Sequence, residues 1–144
     1  MALLTDSLAD GINNNGIKVL LDGFAVAFFD GAVPAKASDA VTGNTLAIFT
    51  VNNDGVTGGT WDTSANRILA RLPSEAMSGT CLVGGSPTFY RTYVLGESPT
   101  TLSSVFHRVQ GTCGTVNADA ILDTTFFPMV LTTVYPLGNE VFEL

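Results

Sequence analysis

"FAVAFFDGAVPAKASDAVTGNTLAIFTV", residues 24–51, decides the fold. Two compact runs rich in aromatic and β-branched residues flank a segment of Gly, Pro, Ala, Ser and Asp. The first run closes at Asp30-Gly31, a turn pair. Pro34 bars the middle segment from a central strand, and Gly43-Asn44 marks a second turn. "TLAIFTV" then alternates, with Leu46, Ile48 and Thr50 against Thr45, Ala47, Phe49 and Val51. That pattern predicts a strand with one face buried and the other partly covered. The stretch holds no nucleophile beside a base, no phosphate loop and no metal-ligand spacing. So ordered a segment without chemistry points to a surface rather than a reaction.

The same texture continues to the C-terminus. "TWDTS", "NRILARL", "TCLVGG", "TFYRTYVLG", "VFHRVQG", "AILDTTF" and "MVLTTVYPLG" are short, rich in β-branched and aromatic residues, and closed by turn formers. Short strands at this spacing predict an all-β sandwich or barrel, with jelly roll, Greek key and open barrel all compatible. In "TFYRTYVL", Arg91 shares a face with Phe89, Tyr93 and Leu95, and is expected at an edge with its stem packed and its head wet. Ahead of this body, "ALLTDSLADGI" sets Leu3, Leu4, Leu8 and Ile12 on one stripe of a short helix, and "NNNG" stops it. "IKVLLDG" fits a helical turn or a strand lead-in. The division is a helical docking segment over 1–22 and a β-sandwich domain over 23–144. A helix this short is marginal in water, so its stripe must pack on the chain's own sheet or on a neighbouring subunit.

At 144 residues one domain with a proper core is expected. Hydrophobic residues make up 46% and charged residues 13%, which argues against disorder. The net charge of −7, from 13 acids and six Lys plus Arg, leaves no basic stripe for nucleic acid. No apolar run approaches membrane-spanning length, and the N-terminus lacks the pattern of a signal peptide. Cys81 and Cys113 make no disulfide framework, and free thiols in a reducing cytoplasm are expected.

Each chemical reading meets a blander one. His107 is the sole histidine; Ser103 or Ser104 could join it in a triad, but G-x-S-x-G is absent. Cys81, Cys113 and His107 lack zinc spacing. "VNNDGVTGG" opens like a calcium loop at Asn52 and Asp54 but has no closing Glu, and reads as a hairpin turn. "QGTCGT" lacks a phosphate-loop Lys and a following helix, and reads as a turn between strands. Trp61, the single tryptophan, fits core or interface packing better than a sugar platform. No metal, cofactor or catalytic residue is expected.

Three stretches together resemble a family of small tailed-bacteriophage virion proteins. They are the opening stretch, "SPTFYRTYVL" with its aromatic-aromatic-Arg strand, and "HRVQGTCGTVNADAILDTTFF" with Gly-x-x-Gly-Thr before Ala-Asp-x-x-Leu. "LLTDSLADGI" fits the family's leading helix, and the chain departs from the pattern at residues 127–129, where a Gly-containing turn is usual. The resemblance implies a non-enzymatic capsid decoration (cement) protein with a jelly-roll-like sandwich. Such a protein sits on the outside of the head and bridges major capsid protein subunits, with self-association as a dimer or trimer. Assembly in the bacterial cytoplasm is expected, with Leu3, Leu4, Leu8, Ile12, Pro34 and Trp61 as the candidate interface residues. A tail or baseplate component, a virion-surface carbohydrate-binding module using Trp61, Tyr90 or Tyr93, and a small hydrolase are the alternatives.

Overall fold

A computed structural model describes residues 3–5, 16–61 and 71–138. The strands in chain order are β1 (Leu3–Leu4), β2 (Phe24–Phe29), β3 (Thr45–Val51), β4 (Met77–Thr80), β5 (Phe89–Val94), β6 (Arg108–Gly114), β7 (Ala120–Ile121) and β8 (Val134–Pro136). A five-residue helix, α1 (Ile17–Leu21), precedes β2, and a 3-10 turn over Thr124–Phe126 precedes β8. The chain is all-β, as expected. Its strands run as one curled sheet in the order β1-β6-β5-β2-β3-β4-β8, antiparallel throughout, with β7 added to β6 in parallel. This path does not identify the fold as a jelly roll.

The central strand β2 sorts its side chains with period two. Phe24, Val26 and Phe28 enter the larger cluster on the concave face, while Ala25, Ala27 and Phe29 enter a smaller one behind. On the concave side Phe28 meets Phe49 at 4.9 Å and Phe126 at 5.9 Å, and Phe126 meets Tyr135 at 5.0 Å. Residues from β2, β3 and the β8 arm therefore share one aromatic core, which requires the sheet to curl. Each such ring stabilises the fold by roughly 2–3 kcal/mol through burial alone.

Several expectations change in three dimensions. Leu3 and Leu4 are not helical: they pair with Gln110 and Val109 of β6. Leu8 and Ile12 lie outside the described residues, as do most of "TWDTS" and "NRILARL". "IKVLLDG" supplies α1. Leu46 does not share a face with Ile48. The β2–β3 register slips between Phe28 and Phe29, so Leu46 is a bulge residue that enters the concave core beside Ala47. "QGTCG" is not a turn but the second half of β6. Gly111 is needed there because a Cβ would stand 2.7 Å from the Tyr90 ring and 2.8 Å from the Asp119 Cβ.

Candidate functional site

Behind β2, β5 and β6 the sheet carries a polar centre set beside the smaller cluster of Phe29, Phe89 and Tyr93. Arg91 of β5 lies between Ala27 of β2 and Gln110 of β6, and Arg108 lies beside Tyr93. The small side chain of Ala27 leaves room on that face for a guanidinium. Both arginines are 0% exposed, so the expected wet edge position for Arg91 is overturned. The cause is two loops, residues 31–44 and 95–107, that fold back over this face and bring their carbonyl groups to it.

The hydrogen bonds show what the arginines do. Arg91 Nε donates to Gln110 Oε1 at 2.8 Å, Nη1 to the Pro99 carbonyl at 2.9 Å, and Nη2 to the Asp39 carbonyl at 2.8 Å and the Lys36 carbonyl at 3.4 Å. Arg108 Nη1 donates to the Thr101 carbonyl at 2.8 Å and the Ala37 carbonyl at 3.3 Å, and Nη2 donates to the Ser98 carbonyl. Its Cζ also sits 5.2 Å from the centre of the Phe106 ring. Gln110 Nε2 donates to the Pro34 carbonyl at 2.8 Å. Three side chains on two adjacent strands thus hold both loops through uncharged oxygens. A planar guanidinium suits this task, since its five donors spread over several acceptors at once.

Burial lowers the pKa of Arg91 to about 10, and the nearby Arg108 adds to the effect. Arg108 is lowered by burial too, partly offset by Glu97. Both remain cations at neutral pH. Arg71, also buried, bonds to the carbonyls of Glu75, Leu137 and Gly138, and so ties the turn after it to the arm beyond β8. Half of the six basic residues are therefore interior fasteners.

The residues singled out for chemistry are occupied otherwise. His107 Nδ1 lies 3.6 Å from Glu97 Oε1, and the His107 N–H donates to Glu97 Oε2 at 3.1 Å. Ser103 Oγ accepts from the N–H groups of Val105 and Phe106, as a loop cap does. Asp54 accepts from the N–H groups of Val56 and Thr57 and from the Thr57 hydroxyl, which makes its loop a turn closed on itself. Cys81 and Cys113 are free thiols. Among the described residues no three His, Cys, Asp or Glu side chains converge as a metal site, and no helix is long and apolar enough to cross a membrane.

Among the described residues, Leu3 and Pro34 both adjoin Gln110, and Trp61 has a different setting. Pro34 sits in the first clasped loop, half buried, while Leu3 and Leu4 form the sheet edge at β1. Of the core and interface readings of Trp61, the structure shows core: it is buried, stacks on Phe24 at 4.4 Å, and donates its indole N–H to the Leu21 carbonyl at 3.1 Å. Tyr90 and Tyr93, the other two rings considered for a glycan platform, are buried as well. The surface instead displays aliphatic side chains. Val33, Leu102 and Val105 stand on the clasped loops, and Leu82, Val83, Val130, Leu131 and Val134 stand at the β8 end. The Arg91–Gln110–Arg108 centre escaped the sequence reading, although one signal for it existed: Arg91 falls between Phe89 and Tyr93 on one strand face.

No protein-family model, curated protein or solved structure matches this chain.

Proposed function

We propose that this chain is a non-enzymatic structural protein of a tailed-bacteriophage virion, a decoration protein on the outside of the head that bridges major capsid protein subunits. The observation that carries the reading is the clasped double loop. Two loops that could wander are instead fixed from beneath by buried arginines, and they hold aliphatic side chains outward. A surface fixed before binding pays less ordering entropy when a partner docks. A chain with so few charges also has little to desolvate on contact. Many weak copies on a closed shell would add by avidity, and a clamp that binds only the expanded shell would stabilise it by mass action. In this reading the chain assembles in the host cytoplasm, needs no cofactor, and works by contact alone.

Purified tailless heads test it. The chain should be present there in copy number commensurate with the capsid lattice, and heads stripped of it should rebind it to saturation. Leu102→Asp, on the exposed loop surface, should weaken rebinding without altering the melting temperature. Absence from heads with recovery on tails would move the protein to the tail, and absence from both would end the virion reading.

A further inference from the structure

The β8 end of the sheet carries an apolar surface, built from uncharged residues with the Asp30 carboxylate beside it at Gly85, that the clasped loops do not use. Residues 81–85 and 129–133 run side by side beyond β4 and β8. Cys81 N–H donates to the Thr133 carbonyl, Thr132 N–H to the Cys81 carbonyl, and Gly85 and Met129 bond to each other in both directions. This ribbon presents Leu82 (54% exposed), Val130 (59%), Leu131 (55%) and Val134 (54%), with Val83 alongside. Its tip is a fixed turn. Thr133 N–H donates to the Val130 carbonyl, Val130 N–H donates to the Tyr135 hydroxyl, and Thr132 holds φ 66°. A β-branched residue in that region is strained, and such strain persists only where the surroundings impose it.

Charge decides what can cover this surface. No Asp, Glu, Lys or Arg occurs at residues 76–90 or 124–138, which supply the whole ribbon. With three of six basic residues buried, the rest of the molecule sets 13 acids against three cations. Two copies therefore repel through most orientations and approach without penalty only through an uncharged face. An apolar, neutral patch is also complementary to itself, as a two-fold contact demands. Strand addition is not the mode. The pairing with β4 leaves the N–H and carbonyl of Val134 facing outward, but Pro136 has no donor to continue the ladder.

We infer that the ribbon of residues 81–85 and 129–134 is the interface of an isologous homodimer, packed through Leu82, Val130, Leu131 and Val134. The inference is independent of the virion reading. Sedimentation velocity over a concentration series tests it with the full chain, using Leu131→Asp and, as a control on the other apolar surface, Leu102→Asp. Wild type and Leu102→Asp should dimerise alike. Leu131→Asp should be weakened by about tenfold or more, since it places a charge from each copy at an apolar centre, while its melting curve stays that of a folded domain. Val130→Asp serves the same purpose if Leu131→Asp does not fold. A wild-type monomer at up to about 100 μM, or a dimer broken by Leu102→Asp and untouched at Val130 and Leu131, would overturn it.

Discussion

Replacing Arg91 by Met keeps the length of the side chain's stem and removes the guanidinium. Three good hydrogen bonds vanish, to Gln110 Oε1, the Pro99 carbonyl and the Asp39 carbonyl, together with a marginal one to Lys36. A buried acceptor left without a partner costs about 1–3 kcal/mol. The two loop carbonyls can turn toward water, so they sit near 1 kcal/mol each, and Gln110, enclosed on the sheet, near 2 kcal/mol. Against this stands relief from burying a cation with no carboxylate bonded to it, about 1 kcal/mol if water already reaches part of the site. The net loss is about 3 kcal/mol, which shifts a urea midpoint by about 1.5 M at an unchanged slope. It lowers the melting temperature by about 10 °C. Arg91→Lys should rescue little, because one ammonium cannot reach four acceptors in a plane. Limited trypsin digestion gives a second reading: cleavage after Lys36 in the first loop should accelerate well beyond any change in global unfolding. If Arg91→Met unfolds at the wild-type midpoint or later, the guanidinium does not fasten the loops.

Three further outcomes are expected. Gly43→Ala should destabilise by about 2 kcal/mol or more, because the new Cβ would meet the Asp30 carbonyl oxygen at 2.1 Å where Asp30 and Asn44 close the loop base; an unchanged denaturation curve would contradict that contact. Burial raises the Cys113 thiol well above its ordinary range, so native protein at about pH 8 should react slowly with a thiol reagent at this position, whereas unfolded protein without reductant titrates both Cys81 and Cys113; fast native labelling of Cys113 would count against it. Asp54 is held below its ordinary 3.8, first by the Thr57 hydroxyl and then by the N–H groups of Thr57 and Val56. A lowered folded value contributes stability that is present above about pH 4 and is lost as pH falls through that folded value. Asp54→Asn should therefore flatten the acid limb of stability measured from about pH 6 to about pH 2, and an identical limb would refute it.

The strands were legible where local pattern and tertiary environment agree. β2 and β3 were bracketed by Asp30-Gly31 and by the Asn52-Asn53 turn, whose residues take positive φ as Asn readily does. The face that Arg91 occupies could also be read from alternation. Its burial could not, because that depends on a carbonyl at residue 99 turned back over the strand and on carbonyls at residues 36 and 39 delivered by a loop more than 50 residues away. Gly111 and Cys113 looked like a turn because glycine has two uses, and only the position of the Tyr90 ring tells close approach from reversal. Leu3 and Leu4 fit a helical stripe because i, i+4 spacing does not reveal that a sheet edge at Val109 and Gln110 offers these two residues a ladder. The interaction surfaces were least legible, since scattered aliphatic residues become a patch only when 81–85 and 129–133 are set side by side.

The strand order also fixes when the molecule can finish folding. β2 pairs with β3 within a short stretch of chain, but its other neighbour begins at Phe89, and β1 waits for β6, with Leu3 opposite Gln110. At about 5–20 residues per second of synthesis, the N-terminal strand is made many seconds before its partner exists. During that interval "FAVAFF" has one edge covered by a hairpin and the other bare, the kind of segment on which nascent chains associate wrongly. Arg91 and Arg108 emerge late as well, so both loops stay loose until the same moment. Completion of the sheet thus waits for β6, and the yield of native protein should depend more on how crowded the ribosomes are than on the final stability of the sheet.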